Sequence, residues 1–259
     1  MSGNPPKLPR AVRGFDRAAE AYERSRPGYP AAAVAFLRRE LRLGPGRTVV
    51  DLGSGTGKLT RSLLGSGAAV VAVEPTAGMR RVFRRVLPSV VVVDGTAEAI
   101  PLPDGFADAL VVGQAFHWFR TAPALREIRR VLRPGGRLAL LWNVRDESFE
   151  LSARVSELLD RRAGRVAHAR ELRWQGRFER SRAGFGPLRY RAFRQVATMD
   201  RTAFVERFLS VSSVAILPRE RRRAIAEEIR RLVAELARGD RRTPVALPYR
   251  TDVYVARRA

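Results

Sequence analysis

The stretch VVDLGSGTGKLT, residues 49–60, decides the fold of this chain. An apolar run ends in Asp51, and three glycines follow as Gly53, Gly55 and Gly57 before a helical segment begins. Glycine lets the backbone pass close to a ligand, and the first turn of a helix presents N–H groups that have no partner within the helix. The stretch therefore predicts a strand, a ligand-binding turn and a helix, in that order.

Two familiar phosphate-binding loops do not fit this stretch. The dinucleotide fingerprint Gly-x-Gly-x-x-Gly requires a glycine where Lys58 stands. The P-loop pattern Gly-x-x-x-x-Gly-Lys-Ser/Thr is absent as well. The segment has the pattern Asp-x-Gly-x-Gly-x-Gly instead, so the sequence predicts neither a dinucleotide site nor a P-loop nucleotide site.

Apolar strand patterns and amphipathic helix patterns alternate along the middle of the chain. Met79, Val82 and Phe83, for example, lie on one face of a helix that stops at Pro88. Continuous apolar strands separated by helices indicate a parallel sheet that is covered on both faces. Sheets of this kind bind ligands beyond the carboxyl ends of their strands. The predicted strands cover residues 47–52, 68–73, 90–93, 107–112 and 138–142.

The segments on either side of this core carry more helical patterns. Before the core, the sequence predicts a short helix within 15–30 that is broken at Pro27 and a helix over 31–42. After the core, it predicts a long helical stretch over 147–175 and a strand marked by Leu188, Tyr190, Ala192 and Val196. Helices near 200–210 and 218–238 and an extended run over 245–256 follow. Pro248 favours an edge strand or the entry to one. The predicted organisation is a tail with cap helices in residues 1–42, a core in 43–145, and in 146–259 a helical insertion and strands that complete the same domain.

Composition excludes several classes of site. The chain has 259 residues, of which 45% are hydrophobic, so it can bury a large core. It has no cysteine, which excludes disulfides, thiolate metal sites and a thiol nucleophile. His117 and His168 are its two histidines, so a histidine-rich metal site is excluded and no metal is predicted. No apolar run approaches the roughly 20 residues of a membrane span, and no secretory signal is present, so a cytoplasmic protein is expected.

The net charge of +23 comes almost entirely from arginine, because Lys7 and Lys58 are the lysines among 49 basic residues. A surface that binds nucleic acid or an anionic membrane would explain this charge. A codon bias toward arginine on a solvated exterior would explain it equally, and the arginines are spread from Arg10 to Arg258. Nucleic acid is therefore expected as a partner only through non-specific, salt-sensitive binding to polyanions.

Three further segments follow the glycine loop in a recognisable order. They are VAVEP (71–75), DGTAEAIPLPDG (94–105) and VLRPGGRLAL (131–140). Together with the loop, they resemble the class I methyltransferases that depend on S-adenosyl-L-methionine (SAM), over residues 45–145. The resemblance implies a Rossmann-like, seven-stranded, mostly parallel α/β sheet with helices on both faces, an N-terminal helical cap and a C-terminal helical insertion. It also implies that SAM lies across the first, second and fourth strands.

The resemblance assigns cofactor contacts to particular residues. Glu74 stands where the family places the acid that accepts hydrogen bonds from both ribose hydroxyls, which a carboxylate can do at once. Thr96 replaces the usual aspartate of the adenine loop and accepts less strongly from the adenine amino group, while the N–H of Ala97 faces a ring nitrogen. Met79 either shields the adenine or packs in the core. The full cofactor-binding set implied is Tyr22, Arg26, Asp51, Gly53, Ser54, Gly55, Gly57, Glu74, Met79, Thr96, Ala97, Glu98 and Gln114.

Two other segments resemble a branch of this family that includes trans-aconitate methyltransferase-like proteins. AYERSRPGYP (21–30) implies that Tyr22 and Arg26 approach the methionine carboxylate of SAM. GQAFHWF (113–119) contains Gln-x-x-His-Trp, which implies that His117 and Trp118 face the acceptor. The alternatives are that Tyr22 and Arg26 are ordinary surface residues, and that His117 packs in the core or pins Trp118.

The predicted function is methyl transfer from SAM to a small-molecule acceptor, through an oxygen or a carboxylate, by a monomer or homodimer. Such an in-line displacement needs alignment and exclusion of water, and it needs a general base only when the acceptor atom carries a proton of high pKa. The charge of +23 favours an RNA or protein methyltransferase as an alternative. A SAM-binding protein without catalysis is the alternative from a different class.

Overall fold

The computed structural model describes residues 10–164, 166–236 and 242–259, and a seven-stranded sheet runs through its centre. The strands are β1 (Thr48–Leu52), β2 (Ala69–Val73), β3 (Val91–Val93), β4 (Ala107–Gly113), β5 (Leu132–Arg145), β6 (Arg189–Met199) and β7 (Val245–Arg257). Their order is β3-β2-β1-β4-β5-β7-β6, and β7 is antiparallel to both of its neighbours while the other pairs are parallel. The predicted fold class, a mostly parallel Rossmann-like sheet, is confirmed.

Ten helices are found in the described part of the chain. They are α1 (Arg10–Ser25), α2 (Ala31–Leu41), α3 (Lys58–Leu64), α4 (Ala77–Val86), α5 (Thr121–Val131), α6 (Glu150–Ala163), α7 (Val166–Ser181), α8 (Arg201–Leu209), α9 (Ser212–Ala215) and α10 (Arg219–Leu236), and Phe116–Trp118 form a single 3₁₀ turn. No helix within these ranges combines the length and the apolar character that crossing a membrane requires.

Alternate residues of the central strands pack against different helices, which explains their continuous apolar sequences. Val50 and Leu110 belong to one core cluster, which also contains residues of α5 and α7. Val49 and Val111, on the opposite face, pack with residues of α2 and α3. Both faces of the sheet are therefore buried, as the apolar runs predict. The carboxyl ends of β1, β2 and β4 lie at the same end of the sheet, directly beside the glycine loop.

A third core cluster lies outside this sandwich and joins the C-terminal helices to β7. Its buried side chains include Leu151 of α6, Phe204 and Phe208 of α8, Ile229 of α10 and Tyr249 of β7. Helices α8 and α9 also contact α1. The N-terminal helix and the C-terminal helices are thus packed together above one end of the sheet.

The single helical stretch predicted over 147–175 is wrong, because it is two helices separated at Gly164. Gly164 has φ of +79°, a left-handed conformation that favours glycine and ends a helix. Helical periodicity alone continues through such a glycine, since it carries no side chain that would disturb the pattern. Gly239, which marks the predicted end of the last helix, lies outside the described residues. Residues 1–13 are expected to be a loose tail, but residues 10–13 belong to α1, and residues 1–9 lie outside the described ranges.

The assignment of Pro248 to an edge strand is also wrong. The last strand, β7, lies between β5 and β6, and β6 is the edge. Strand β5 ends at Arg145, which pairs with Tyr249, so Pro248 lies just beyond the β5–β7 ladder, where its carbonyl accepts from the Asp146 N–H over 3.0 Å. On β6 the alternating residues Tyr190 and Val196 face solvent as expected of an outer strand.

Candidate functional site

The glycine loop leaves β1 and is anchored to the end of β2. Gly53, Gly55 and Gly57 all have positive φ, at +70°, +57° and +88°. The Gly53 N–H donates to the carbonyl of Val73 over 2.8 Å. A Cβ on Gly53 would lie 2.8 Å from the Cβ of Ala115, and one on Gly57 would lie 2.6 Å from a Leu87 methyl group, whereas Gly55 faces open space. Gly53 and Gly57 therefore permit close packing against neighbouring side chains, whereas Gly55 leaves the carboxyl end of β1 accessible.

Glu74 follows β2 and ties the glycine loop to the next helix. The side chain is buried, with the residue only 6% exposed. One carboxylate oxygen accepts from the Gly55 N–H over 2.9 Å, and the other accepts from the N–H of Thr76 over 2.9 Å and from its hydroxyl. Burial raises the pKa of Glu74. Each carboxylate oxygen has two lone pairs, so the oxygen that accepts from Gly55 can accept one further hydrogen bond, for example from a ligand hydroxyl.

Asp51 lies on β1 beneath the loop and is only partly satisfied. One carboxylate oxygen accepts from the Thr60 hydroxyl over 2.5 Å, and the other has no hydrogen-bond partner among the residues that the structure describes. The residue is 1% exposed. Burial raises the pKa of Asp51 to about 7, and the nearby Glu74 carboxylate adds to this effect. One carboxylate oxygen of Asp51 is therefore available to accept a hydrogen bond at the carboxyl end of β1.

Two more buried hydroxyls near this edge lack partners. The hydroxyls of Ser54, in the glycine loop, and Thr96, in the loop after β3, make no hydrogen bond within the described ranges. Ala97 is buried, and Glu98 accepts from the N–H of Arg120 over 2.7 Å, which fastens the loop to the start of α5. Buried polar atoms normally have partners, so these unsatisfied atoms fit a ligand that carries hydroxyl and amino groups, as the nucleoside of SAM does.

Met79 is accounted for by packing. It is buried with Ala19 and Val82 in a small cluster between α1 and α4. The predicted alternative, shielding of an adenine ring, is not needed to explain its burial.

Lys58 begins α3, and its side chain is mostly buried rather than extended into solvent. Its ammonium group donates to the main-chain carbonyl of Glu23 over 2.7 Å and lies 3.5 Å from the Glu23 carboxylate. Glu23 also accepts from the Thr56 hydroxyl over 2.6 Å and from Arg61 over 3.0 Å. Burial acts to raise the pKa of Glu23, but these hydrogen bonds outweigh it and the pKa is lowered. The hydrogen bonds of Glu23 thus hold α1 against the glycine loop and the start of α3. Glu23 is not among the site residues that the sequence predicts.

The cap residues Tyr22 and Arg26 approach the same end of the sheet. The Arg26 guanidinium lies 4.9 Å from the centre of the Tyr22 ring, within cation–π distance. It donates to the hydroxyl and the carbonyl of Ser210 over 3.2 and 3.1 Å. Burial and, to a smaller extent, the charge of the neighbouring Arg207 lower the pKa of Arg26 to about 9. The cap is therefore fastened to the C-terminal helices by an arginine from the sequence motif.

A narrow cavity lies between this cap and the carboxyl ends of β4 and β5. Gln114, which has φ of +59° and donates from its N–H to the carbonyl of Leu141 over 2.8 Å, lines it at the end of β4. Asn143 lines it at the end of β5. The other lining residues are Tyr22, Arg26, Pro27, Tyr29, Lys58, Arg207 and Tyr249. The sequence-based site residues include neither Arg207 nor Tyr249, although the segment LPYRTDVYVARR (247–258), which contains Tyr249, resembles a C-terminal segment of the same branch.

His117 and Trp118 lie in the 3₁₀ turn after β4 and do not line this cavity. His117 is 8% exposed, and its ring lies 4.8 Å from that of Trp118. The indole N–H of Trp142 points at the Nδ1 atom of His117 over 3.4 Å. This geometry favours the packing interpretation of His117. The described ranges contain no group of acidic or histidine side chains that would hold a metal ion.

Comparisons with known proteins agree with this architecture. Residues 50–140 match the model of a family described as a methyltransferase domain. A protein of Schizosaccharomyces pombe named uncharacterized methyltransferase-like C25B8.10 is 31% identical over 234 residues, which are 90% of this chain and 91% of that protein. The uncharacterized methyltransferase Rv3342 of Mycobacterium tuberculosis is 48% identical over 147 residues, so the match spans 59% of that relative and 57% of this chain.

Solved structures show the same fold at lower identity. A proposed type II methyltransferase from Anaeromyxobacter dehalogenans superposes with a TM-score of 0.62 at 24% identity, over 90% of this chain and 97% of that one. The YcgJ protein from Bacillus subtilis superposes with a TM-score of 0.54 at 18% identity, over 88% of this chain and 98% of that one. These likenesses concern the fold.

The packing of the glycine loop predicts unequal effects of two alanine substitutions. Gly55→Ala places a side chain at positive φ and should cost about 1–2 kcal/mol of unfolding free energy. Gly57→Ala has the same backbone strain and also forces its Cβ into Leu87 and Phe83, which should cost roughly 1–3 kcal/mol more. Urea unfolding of both variants measures the difference, and equal losses would contradict the described packing.

The raised pKa of Asp51 predicts a pH-dependent effect of Asp51→Asn. Because its folded pKa, about 7, exceeds the ordinary value of about 3.9, the stability that neutral Asp51 contributes is complete below pH of about 4 and is lost as the pH rises to about 7. Asparagine does not ionise. The melting temperature of the variant minus that of the wild type should therefore rise between pH 5 and pH 8. A constant difference would show that the pKa of Asp51 is not raised in the folded protein.

Proposed function

Because the chain belongs to the class I SAM-dependent methyltransferase family, we propose that it transfers the methyl group of SAM to a small-molecule acceptor. The observation that carries the proposal is the buried Glu74 carboxylate held against the Gly55 N–H at the carboxyl edge of the sheet. This is the position of the ribose-binding acid that the resemblance implies. The unsatisfied oxygens of Asp51, Ser54 and Thr96 support a polar ligand at the same edge.

The residues present fit SAM, whose sulfonium supplies a methyl group that is already activated for transfer. Glu74 would hold the ribose hydroxyls, and the loop of Thr96, Ala97 and Glu98 would receive the adenine. Gly55, which faces open space, leaves room for the ligand along the loop. The remaining work of the chain is to orient the acceptor and to exclude water, which is the main protein contribution to a displacement between two bound reactants.

The acceptor would bind beneath the cap, where Gln114, Asn143 and Tyr249 offer polar groups around a cavity of about 20 Å³ that must widen to admit it. The cap fits this role, because α1 is held to the glycine loop by Glu23 and to the C-terminal helices by Arg26. We therefore assign residues 43–145 to cofactor binding, and residues 1–42 and 146–259 to enclosing the acceptor. Acceptance through an oxygen or a carboxylate, and membership of the trans-aconitate methyltransferase-like branch, belong to the same proposal.

Substitution of Glu74 tests the proposal directly. Glu74→Gln should weaken the binding of S-adenosylhomocysteine by roughly 10- to 100-fold, because hydrogen bonds to a charged acceptor contribute about 1.5–3 kcal/mol. Asp94→Asn is the matched control, since Asp94 follows the next strand, pairs with Arg80 and is largely exposed. Calorimetry measures both affinities, and thermal unfolding verifies that each variant folds.

The outcomes of this experiment separate the candidate functions. Failure of the wild-type protein to bind S-adenosylhomocysteine would overturn the proposal. Binding of SAM without formation of S-adenosylhomocysteine in any acceptor pool would favour the non-catalytic alternative. Methylation of RNA that persists at physiological salt would favour the RNA methyltransferase, because non-specific contacts weaken steeply as salt increases.

The contact between His117 and Trp142 predicts how His117 variants behave. His117→Leu leaves the buried indole N–H of Trp142 without an acceptor, which should cost about 1–3 kcal/mol of unfolding free energy. His117→Asn keeps an acceptor near the Nδ1 position and should retain most of that stability. Urea unfolding and the affinity for S-adenosylhomocysteine, which should stay unchanged in both variants, measure this. If His117→Asn keeps full stability but loses turnover, the ring itself acts on the acceptor.

A further inference from the structure

Strand β6 is a long outer strand whose residues are all at least partly exposed. It spans Arg189–Met199, 11 residues, and none of them is buried. It pairs with β7 without a shift in register, from Arg189 opposite Val255 to Met199 opposite Val245. On its other side, no strand among the described residues pairs with its backbone N–H and C=O groups. An edge of this kind is a template for pairing with another chain.

Several devices that usually protect an outer strand are missing from β6. The strand contains no proline, its ladder with β7 contains no bulge, and it is about twice as long as a typical strand. The opposite edge of the sheet differs, because β3 spans only Val91–Val93. The remaining protection is charge, since Arg189, Arg191 and Arg194 would repel an identical strand wherever they met one another directly.

One face of β6 carries two large apolar side chains in solvent. Tyr190 is 52% exposed and Val196 is 62% exposed. They share this face with Ala192 and Arg194, because alternate residues of a strand point to the same side. Single exposed apolar residues are common at protein surfaces. Here, however, Tyr190 and Val196 lie at equal distances on either side of Phe193, which allows them to meet in a symmetric pair of strands.

An antiparallel pair of identical β6 strands centred on Phe193 brings these two side chains together. In this register, Tyr190 of one copy lies opposite Val196 of the second copy, and the contact occurs twice because the pair is symmetric. Aromatic and β-branched side chains are a favoured cross-strand combination. Residues 189–197 of each copy extend the hydrogen-bonded ladder, so the two sheets become continuous.

The same register separates the arginines of the two copies. Arg194 lies opposite the small Ala192 of the second copy, and Arg191 lies opposite Gln195. On β7, Ala192 is paired with Asp252, whose carboxylate is on this face because it accepts from the Tyr190 hydroxyl over 2.9 Å. A carboxylate therefore lies one strand behind the residue that Arg194 faces, which makes the contact complementary in charge.

The two neighbouring registers lack these matches. Centring the pair on Arg194 places the two Arg194 side chains directly opposite each other, and like charges in that position are destabilising. Centring it on Ala192 places Tyr190 opposite Arg194 and moves Val196 opposite Leu188, which precedes the strand. Of these registers, only the one centred on Phe193 joins the two exposed apolar side chains.

We propose that the chain forms a homodimer through antiparallel pairing of β6 with β6 of a second copy, in the register centred on Phe193. Strands β5 and β7 separate β6 from β4, so the carboxyl ends of β1, β2 and β4 of each copy lie away from this interface. No residue of the predicted cofactor-binding set lies on β6. The dimer therefore does not rest on the proposed function, and each can fail without the other.

Disulfide trapping tests the register, because the chain has no cysteine of its own. The double variant Tyr190→Cys, Val196→Cys should give a covalent dimer under mild oxidation, since the two positions face each other across the interface. Each single variant should stay uncrosslinked, because like positions are too far apart for the short Cβ–Cβ distance that a disulfide requires. Absence of the covalent dimer, or equal crosslinking in the single variants, would overturn the proposal.

Sedimentation equilibrium tests whether the dimer forms. At micromolar concentration, the wild-type protein should have twice the mass of the chain. Val196→Arg should raise the dissociation constant of the dimer roughly tenfold or more, because it replaces the apolar contact with a charge. Val91→Arg is the matched control, since Val91 is 60% exposed on the opposite edge strand β3, and it should leave the dimer unchanged. A monomeric wild-type protein, or equal weakening by both substitutions, contradicts the proposal.

Salt distinguishes this dimer from one that a bound polyanion bridges. Two chains of net charge +23 repel each other, so added salt should strengthen the β6 dimer by screening this repulsion. A dimer that dissociates as salt rises, or after nuclease treatment, is held by polyanions, and the proposal is then wrong. Circular dichroism verifies that each variant keeps the wild-type fold.

Discussion

The hydrogen bond from the Gly55 N–H to the Glu74 carboxylate connects the loop that follows β1 to the residue that follows β2. Glu74 follows β2 and Gly55 follows β1, so this bond sets the position of the glycine loop relative to the neighbouring strand. The second carboxylate oxygen accepts from Thr76 at the start of α4. A buried carboxylate is costly unless donors surround it, and here the loop and the helix start supply them. The other features of the site are arranged around this carboxylate.

Charge is divided between the two ends of the site. The edge formed by β1 and β2 holds the buried acids Asp51 and Glu74, and burial raises the pKa of both. The cavity beneath the cap holds Arg26 and Arg207. Helix α1 connects the two ends, since Glu23 of α1 contacts the glycine loop and Arg26, just beyond its end, contacts Ser210. The two ends of the site therefore differ in the sign of their buried charge.

The C-terminal region builds one wall of the cavity beneath the cap. Tyr249 of β7 is buried in the cluster formed by α6, α8 and α10, and its hydroxyl accepts from Arg207. The same strand pairs with β5 along its length, ending opposite Arg145. Strand β7 thus fixes the position of side chains on α6, α8 and α10 relative to the carboxyl end of β5. Changes in α8 can alter the cavity without altering the cofactor edge.

The sequence by itself determined the order and type of the core elements and the residues that follow the carboxyl ends of β1 and β2. These depend on short-range patterns: the run from Asp51 through the three glycines, the acid that ends VAVEP, and the apolar strands whose alternate residues face different helices. Only the tertiary structure decided that β7 lies inside the sheet, that Lys58 is paired with Glu23, and that Arg207 meets Tyr249 and shares a cavity with Arg26. The physical reason is distance along the chain. Arg26 and Ser210 are 184 positions apart, and no local periodicity or spacing records which of 47 arginines turns inward.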